Sequence, residues 1–130
     1  MSVEDNKAVI ERFLREIFNQ RNLAVVDEVV APDHRLLSPE TGAGEVEGTE
    51  VIKRAIEDYH ETGDGAGCTI LNQVAEGEWV ATSFTLGEEQ AEHMGVLTSR
   101  IVDGEIQESF VVARDVSAPD SDASERKILN

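Results

Sequence analysis

The sequence predicts an α+β domain in which a curved, mostly antiparallel sheet wraps around a long N-terminal helix. Two periodicities and one dipeptide carry that expectation. From Val3 to Phe18 the apolar residues recur at spacings of three and four, the mark of a helix with one buried face. From Cys68 onward the period falls to two, which is that of strands. Within that stretch Asp103-Gly104, flanked by alternating apolar residues, is a strong two-residue hairpin signal.

The elements follow in order. Ser2 is a suitable N-cap for the first helix, whose apolar face is Val3, Ala8, Val9, Ile10, Phe13, Leu14, Ile17 and Phe18. Asn22 can cap a second short helix reaching Val30, and Ala31-Pro32 stops it because a residue before proline disfavours helix. His34 to Ser38 reads as a short strand, and residues 40–48, rich in Gly and Glu, as an exposed loop. Thr49 caps a third helix over Glu50 to Thr62, ended by Gly63, Gly65 and Gly67. Four strands are expected after it: Cys68 to Ala75, Trp79 to Leu86, His93 to Val102 and Glu105 to Asp115. The last is apolar at both parities, Ile106, Phe110 and Val112 alternating with Val111 and Ala113, so both faces should be covered. The helices would cover one face and a second copy of the chain the other, which makes a homodimer the expected state. Residues 1–116 form the domain and 117–130 a polar, disordered tail.

Composition narrows the function. With 130 residues and 40% hydrophobic content the chain has the size and the core of one domain. Its 27 Asp and Glu against 11 Lys and Arg give a net charge of −16, which repels phosphate backbones and anionic lipid. No nucleic-acid or membrane partner is expected. A single cysteine, Cys68, forms no internal disulfide, no run is long and apolar enough for a membrane helix, and the N-terminus lacks the apolar stretch of a signal peptide. A cytoplasmic setting fits. His34, His60 and His93 are far apart and in no metal-binding spacing, so neither metal nor cofactor is expected.

The segment Asn6 to Asp33, together with Glu47-Gly48-Thr49-Glu50-Val51-Ile52-Lys53, Val74-Ala75-Glu76-Gly77-Glu78-Trp79-Val80-Ala81 and Asp103-Gly104-Glu105-Ile106-Gln107-Glu108, resembles the SnoaL-like polyketide cyclases of the nuclear transport factor 2-like, or cystatin-like, fold. The resemblance implies a cone with a cavity between sheet and helices. It also implies acid–base residues that this chain has replaced. The cyclases' Glu-His-Trp-Asp run corresponds to Glu108-Ser109-Phe110-Val111, and valine transfers no proton. A histidine or acid of the first strand is replaced within Leu36-Leu37-Ser38-Pro39, and the histidine of a later loop within Gly87-Glu88-Glu89. The sites of ketosteroid isomerases correspond to Phe13, Ser38 and Thr98, and those of limonene-epoxide-hydrolase-like enzymes to Arg100, Val102 and Val111. Neither set supplies the required acids.

The expected function is therefore the binding of a small apolar organic molecule in a pocket of Phe13, Leu37, Tyr59, Thr98, Ser109 and Val111. The alternative is a divergent, cofactor-independent cyclase or isomerase using a non-standard base, for which His93 at the head of a strand is the candidate. Thr98 is expected beside Ser109 if the Asp103-Gly104 turn alone sets the register. His34 reads as a residue at the start of a strand, His60 as a cation in the last turn of a helix, and Trp79 as core packing. With no Ser-His-acid order readable, serine nucleophile chemistry has no support.

An acidic chain with only three lysines, Lys7, Lys53 and Lys127, is also a chain suited to a salt-rich cell. On that reading its melting temperature rises steeply between low and molar salt; a flat response in a thermal scan would contradict salt adaptation.

Overall fold

In the computed structural model, which describes residues 2–37, 44–46, 48–62, 67–87 and 93–115, the first helix is α1, Val3–Leu14. Ser2 caps it: the Ser2 hydroxyl accepts from the Asp5 backbone N–H, and the Asp5 carboxylate accepts in return from the Ser2 N–H, both at 3.1 Å. The Ser2 backbone N–H, with the Ser2 hydroxyl beside it, holds the Asp5 carboxyl below its usual range. Instead of continuing to Phe18 as α-helix, the chain widens into a π-helical turn, Arg15–Asn19, closed by Gln20 N–H to the Arg15 carbonyl at 3.1 Å. Helix α2, Ala24–Val29, follows, with the Asn22 side chain accepting from the Ala24 N–H at 3.3 Å.

Two expectations need correction here. Strand β1 begins at Val30 and runs to Leu37, so Pro32 lies inside a strand instead of separating helix from strand. It sits where the pairing with the neighbouring strand is broken, between Val30 and Arg35, which is where a residue without an N–H can be accommodated. Part of the expected loop is also strand: β2, Gly44–Val46, pairs antiparallel with Arg35, Leu36 and Leu37. Helix α3, Thr49–Thr62, then leads to β3, Cys68–Glu76, β4, Trp79–Leu86, β5, His93–Val102, and β6, Glu105–Asp115. The glycine-rich helix end at 63–66, the acid loop of Glu88, Glu89 and Glu92, Ser38, Pro39, residue 116 and the tail 117–130 lie outside the described residues.

The sheet has six strands in the order β2-β1-β6-β5-β4-β3, antiparallel except for the β1–β6 pair. The two-residue turns of the β3–β4 and β5–β6 hairpins have glycine where the backbone requires it. Asp103 and Gly104 have φ of 51° and 82°, the left-handed pair that a type I′ turn demands. Gly77 alone is left-handed in the β3–β4 turn, with φ of 58°.

Register, however, is not set by the β5–β6 turn alone. Arg100 pairs with Glu108 but Ile101 with Ile106, so Gln107 is an extra residue, a β-bulge. Its side chain reaches across to β1 and donates to the Asp33 carboxylate at 3.0 Å, which lowers the Asp33 carboxyl. Because strand faces alternate with period two, one extra residue reverses the faces beyond it. Ile106 is therefore buried on the inner face, separated from Phe110 and Val112, which face outward.

The inner face packs on α1, the π turn and α2 through Ile10, Leu14, Ile17, Val25, Val26 and Val29 against Val80, Phe84, Leu97, Ile101 and Ile106. A buried Asn6 and a half-buried Gln73 orient α1 on the sheet. Asn6 donates to the Gly77 carbonyl at 3.3 Å, and Gln73 donates to the Lys7 carbonyl at 3.1 Å and to Thr82 Oγ1 at 3.2 Å. Gly95 matters for a steric reason. A Cβ there would lie 2.9 Å from the Phe84 ring and 3.1 Å from both Ala113 and the Val112 carbonyl. Gly95→Ala is therefore expected to destabilise the fold by about 1–3 kcal/mol, read as a lower urea midpoint; an unchanged midpoint would show that Phe84 is free to move aside.

Candidate functional site

The cone leaves a cavity of about 330 Å³ between the inner face of the sheet and the helices, close to the lower end of small-ligand sites. The first helix and its π turn contribute Phe13, Leu14, Ile17 and Phe18, and α3 contributes Ile52, Ala55, Ile56 and Tyr59. The sheet supplies Leu36, Phe84, Leu86, Leu97 and Val111. Among these lining residues only Tyr59 carries a polar side-chain atom. Leu36 and Val111 keep 36% and 42% of their surface exposed, which places them towards the open side.

The π turn is a junction for this wall. Asn19 lies against the first residue of β3: its amide accepts from the Cys68 N–H at 2.6 Å and donates to the Cys68 carbonyl at 3.2 Å, as a neighbouring strand would. Gly67 leaves the room for it, since a Cβ there would fall 2.5 Å from Asn19 Oδ1. The Ile17 carbonyl is met by His60 Nε2 at 2.6 Å, and because a carbonyl only accepts, Nε2 carries the proton. His60 thus ties α3 to the end of the first helix and is not simply a charge on its own helix dipole. Phe18, Tyr59 and His60 stack edge to face, with the Phe18 and Tyr59 centroids 5.2 Å apart.

Three of the residues expected in the pocket line the cavity: Phe13, Tyr59 and Val111. Three do not. Leu37 lies on the opposite face of β1 from Leu36, and it is Leu36 that meets the cavity. Thr98 pairs with Phe110 and faces outward, because the Gln107 bulge brings Ser99 opposite Ser109 in its place. Ser109 points inward and is buried, bonded to other side chains and not part of the wall itself. His93, partly buried at the outer end of β5 between Leu86 and Asp115, is not among the residues lining the cavity. Trp79 is 40% exposed on the outer face of the sheet, beside Arg100, and is not core.

What sequence reasoning passed over is His34. It is 4% exposed, and its Nε2 lies 3.0 Å from Ser109 Oγ, which in turn lies 3.3 Å from Ser99 Oγ. Three adjacent strands, β1, β6 and β5, thus contribute one member each to a buried polar chain. Burying such groups unbonded costs about 1–3 kcal/mol each, and the mutual bonds are what make their burial tolerable. The one available signal was parity: His34 shares the face of Leu36, and Ser109 that of Val111. The separation of 75 residues between His34 and Ser109 hides the pairing itself from any local pattern.

Other chemistry is thin on the inner side. Burial pushes the Cys68 thiol up to about 11, so it is not a thiolate nucleophile near neutral pH. Among the described residues no three His, Cys, Asp or Glu side chains gather as metal ligands, and no helix is long and apolar enough to cross a membrane. The guanidinium and ammonium groups with perturbed protonation, Arg12, Lys53 and Arg100, are held high by surface carboxylates: Glu16 and Glu28, Asp27 and Glu50, and Glu108 and Glu78 respectively. They lie outside the cavity wall.

Comparison with known proteins agrees with this architecture. The model of the SnoaL-like domain family matches residues 10–109. Among solved structures, a candidate ketosteroid isomerase from Kribbella flavida superimposes with a TM-score of 0.71 at 20% identity, over 90% of this chain and 83% of that one. IdmH, a candidate polyketide cyclase from Streptomyces antibioticus, gives 0.68 at 18% identity, over 83% and 91%. A candidate isomerase of the SnoaL-like family from Agrobacterium tumefaciens gives 0.70 at 16%, over 85% and 98%. No curated protein matches the sequence. At such identities the structural likeness speaks for the fold and not for a shared reaction.

Proposed function

The chain belongs to the SnoaL-like domain family, and from that premise we propose that it holds a small, neutral, largely apolar organic molecule in the cavity of its cone. The observation that carries the reading is the wall. Thirteen side chains from both helices and sheet converge on it, and none bears a charge. An apolar guest gains roughly 25 cal/mol for each Å² of apolar surface it removes from water, whereas a charged one would lose its hydration with no counter-charge to meet it. The lone, buried Cys68 is compatible with a reducing cytoplasm as the setting.

The catalytic alternative needs a proton acceptor within reach of the guest. His34, buried and bonded to Ser109 next to the wall, favours that alternative, while His93, the Cα partner of the lining residue Leu86, is not itself part of the lining. On the resemblance to the cyclases, Ser109 stands in place of their histidine and Val111 in place of their acid, which favours binding over catalysis.

A second copy of the chain is proposed on the outer face of the sheet. Two rows run across it, Val74-Ala81-Thr98-Phe110 and Asn72-Ser83-Val96-Val112, with no charge in either. Val74, Val96 and Val112 are 65%, 41% and 55% exposed. On a chain of charge −16 most surfaces repel their own copies, and these uncharged rows are where two copies approach at least electrostatic cost. The charged row beside them is internally paired, Arg100 with both Glu78 and Glu108.

Two outcomes follow. Polycyclic ketones and steroids should raise the melting temperature, and Ala55→Trp, a plug on an exposed α3 position of the wall, should weaken binding at least tenfold with little change in stability; a panel that gives no shift in the unmodified protein would sink the binding reading. In sedimentation the chain should run as a dimer that the pair Val96→Glu and Val112→Glu dissociates, and a monomer at high concentration would contradict the proposed face.

A further inference from the structure

The hydrocarbon wall ends at a polar boundary. Ser109 is the Cα partner of Leu36 across the β1–β6 pair, and Leu36 lines the cavity. Two residues along the same face of β6 lies Val111, and two residues from Ser99 on β5 lies Leu97, both also lining it. A step of two residues along a strand is about 7 Å, so Ser109 sits one side-chain position from the wall, with His34 behind it.

The hydrogen-bonding capacity of this group is not used up within the pair contacts. A serine hydroxyl has one proton to donate and two lone pairs. His34 Nε2 and Ser99 Oγ engage two of those three for Ser109, at 3.0 and 3.3 Å. One valence remains, on a side chain of the inner face beside the cavity. Its sense is adjustable. When His34 carries its proton on Nε2 it donates to Ser109, whose own proton is then available to a carbonyl oxygen. In the other tautomer Ser109 donates to His34 and keeps a lone pair for an incoming hydroxyl.

On this basis, which rests on the binding reading above, we propose that Ser109, backed by His34 and Ser99, is the contact for one neutral oxygen, carbonyl or hydroxyl, on an otherwise hydrocarbon guest. A carboxylate is excluded as that group, because no Lys or Arg lines the cavity among the described residues. The site is thereby selective for a ketone or alcohol over the parent hydrocarbon, and it uses Ser109 where the cyclases keep a histidine.

The test is a matched series of one skeleton: tetralin, α-tetralone and the corresponding alcohol, titrated by displacement of a fluorescent apolar dye. The ketone and alcohol should bind about five- to tenfold more tightly than tetralin, the worth of one hydrogen bond. Ser109→Ala should remove that advantage while leaving tetralin binding intact, which also shows that the variant is folded. The imidazole nitrogen signals of His34 should shift with the ketone and stay in place with tetralin. Equal binding of all three by the unmodified protein would overturn the oxygen contact and leave the apolar-cavity reading standing. So would a ketone preference that survives in Ser109→Ala. Failure of all three to bind would overturn both.

Discussion

Which side chains meet inside the cone depends on one extra residue in β6. Gln107 has no Cα partner on β5, and its insertion turns the remainder of the strand over by one face. Without it Ser109 would lie opposite Thr98 and the outer and inner sets of β5 would be exchanged relative to β6. With it, Ser109 meets Ser99 and His34, and Val111 meets Leu97 at the cavity. The bulge is itself held from a distance, by the Gln107 amide on the Asp33 carboxylate of β1, so the two strands that form the parallel pair are locked to each other where their ladder is irregular.

The energetic balance of the interior is divided in the same way. The helices are held to the sheet by an apolar core running from Ile10 to Ile106, while polar contacts choose the orientation. Asn6, Gln73 and Asn19 each satisfy backbone groups of a neighbouring element, and His60 satisfies a carbonyl at the π turn. A hydrogen bond of this kind adds only about 1 kcal/mol net, far less than the burial of one large aliphatic side chain and its neighbours. Its effect is directional: it decides where α1 ends, and with it which of Phe13, Ile17 and Phe18 form the roof of the cavity.

Carboxylates outnumber cations 27 to 11 in the chain, and among the described residues none lines the cavity. Among the described residues acids lie on helices and strands alike, some paired as Glu16 and Glu28 are with Arg12 or Asp27 with Lys53. Exposed pairs of this sort contribute little to stability. Inside, the described lining of the cavity is hydrocarbon apart from the Tyr59 hydroxyl. The field outside and the neutral interior are therefore separate features, one bearing on solubility and self-association, the other on what the cone can accept.

Much of the fold was written in local pattern. The helical spacing of Val3 to Phe18, the alternation from Cys68 onward and the left-handed demand of Asp103-Gly104 are properties of adjacent residues, and each element they imply stands within a residue or two of its expected place, save the π turn. The parts that local pattern missed are those decided across the sheet. β1 starts at Val30 because Ile106 pairs there despite Pro32; Leu36 and not Leu37 faces the cavity; Thr98 is turned outward by Gln107; and His34, unremarkable in sequence, meets a serine 75 residues away. Sequence alone determined the fold class and the family, because these need only residue identity and short-range periodicity. Register and the choice of the polar contact were left to the tertiary structure, because a one-residue bulge carries no compositional mark and the Gln107 side chain that sits in it bonds to Asp33, 74 residues away.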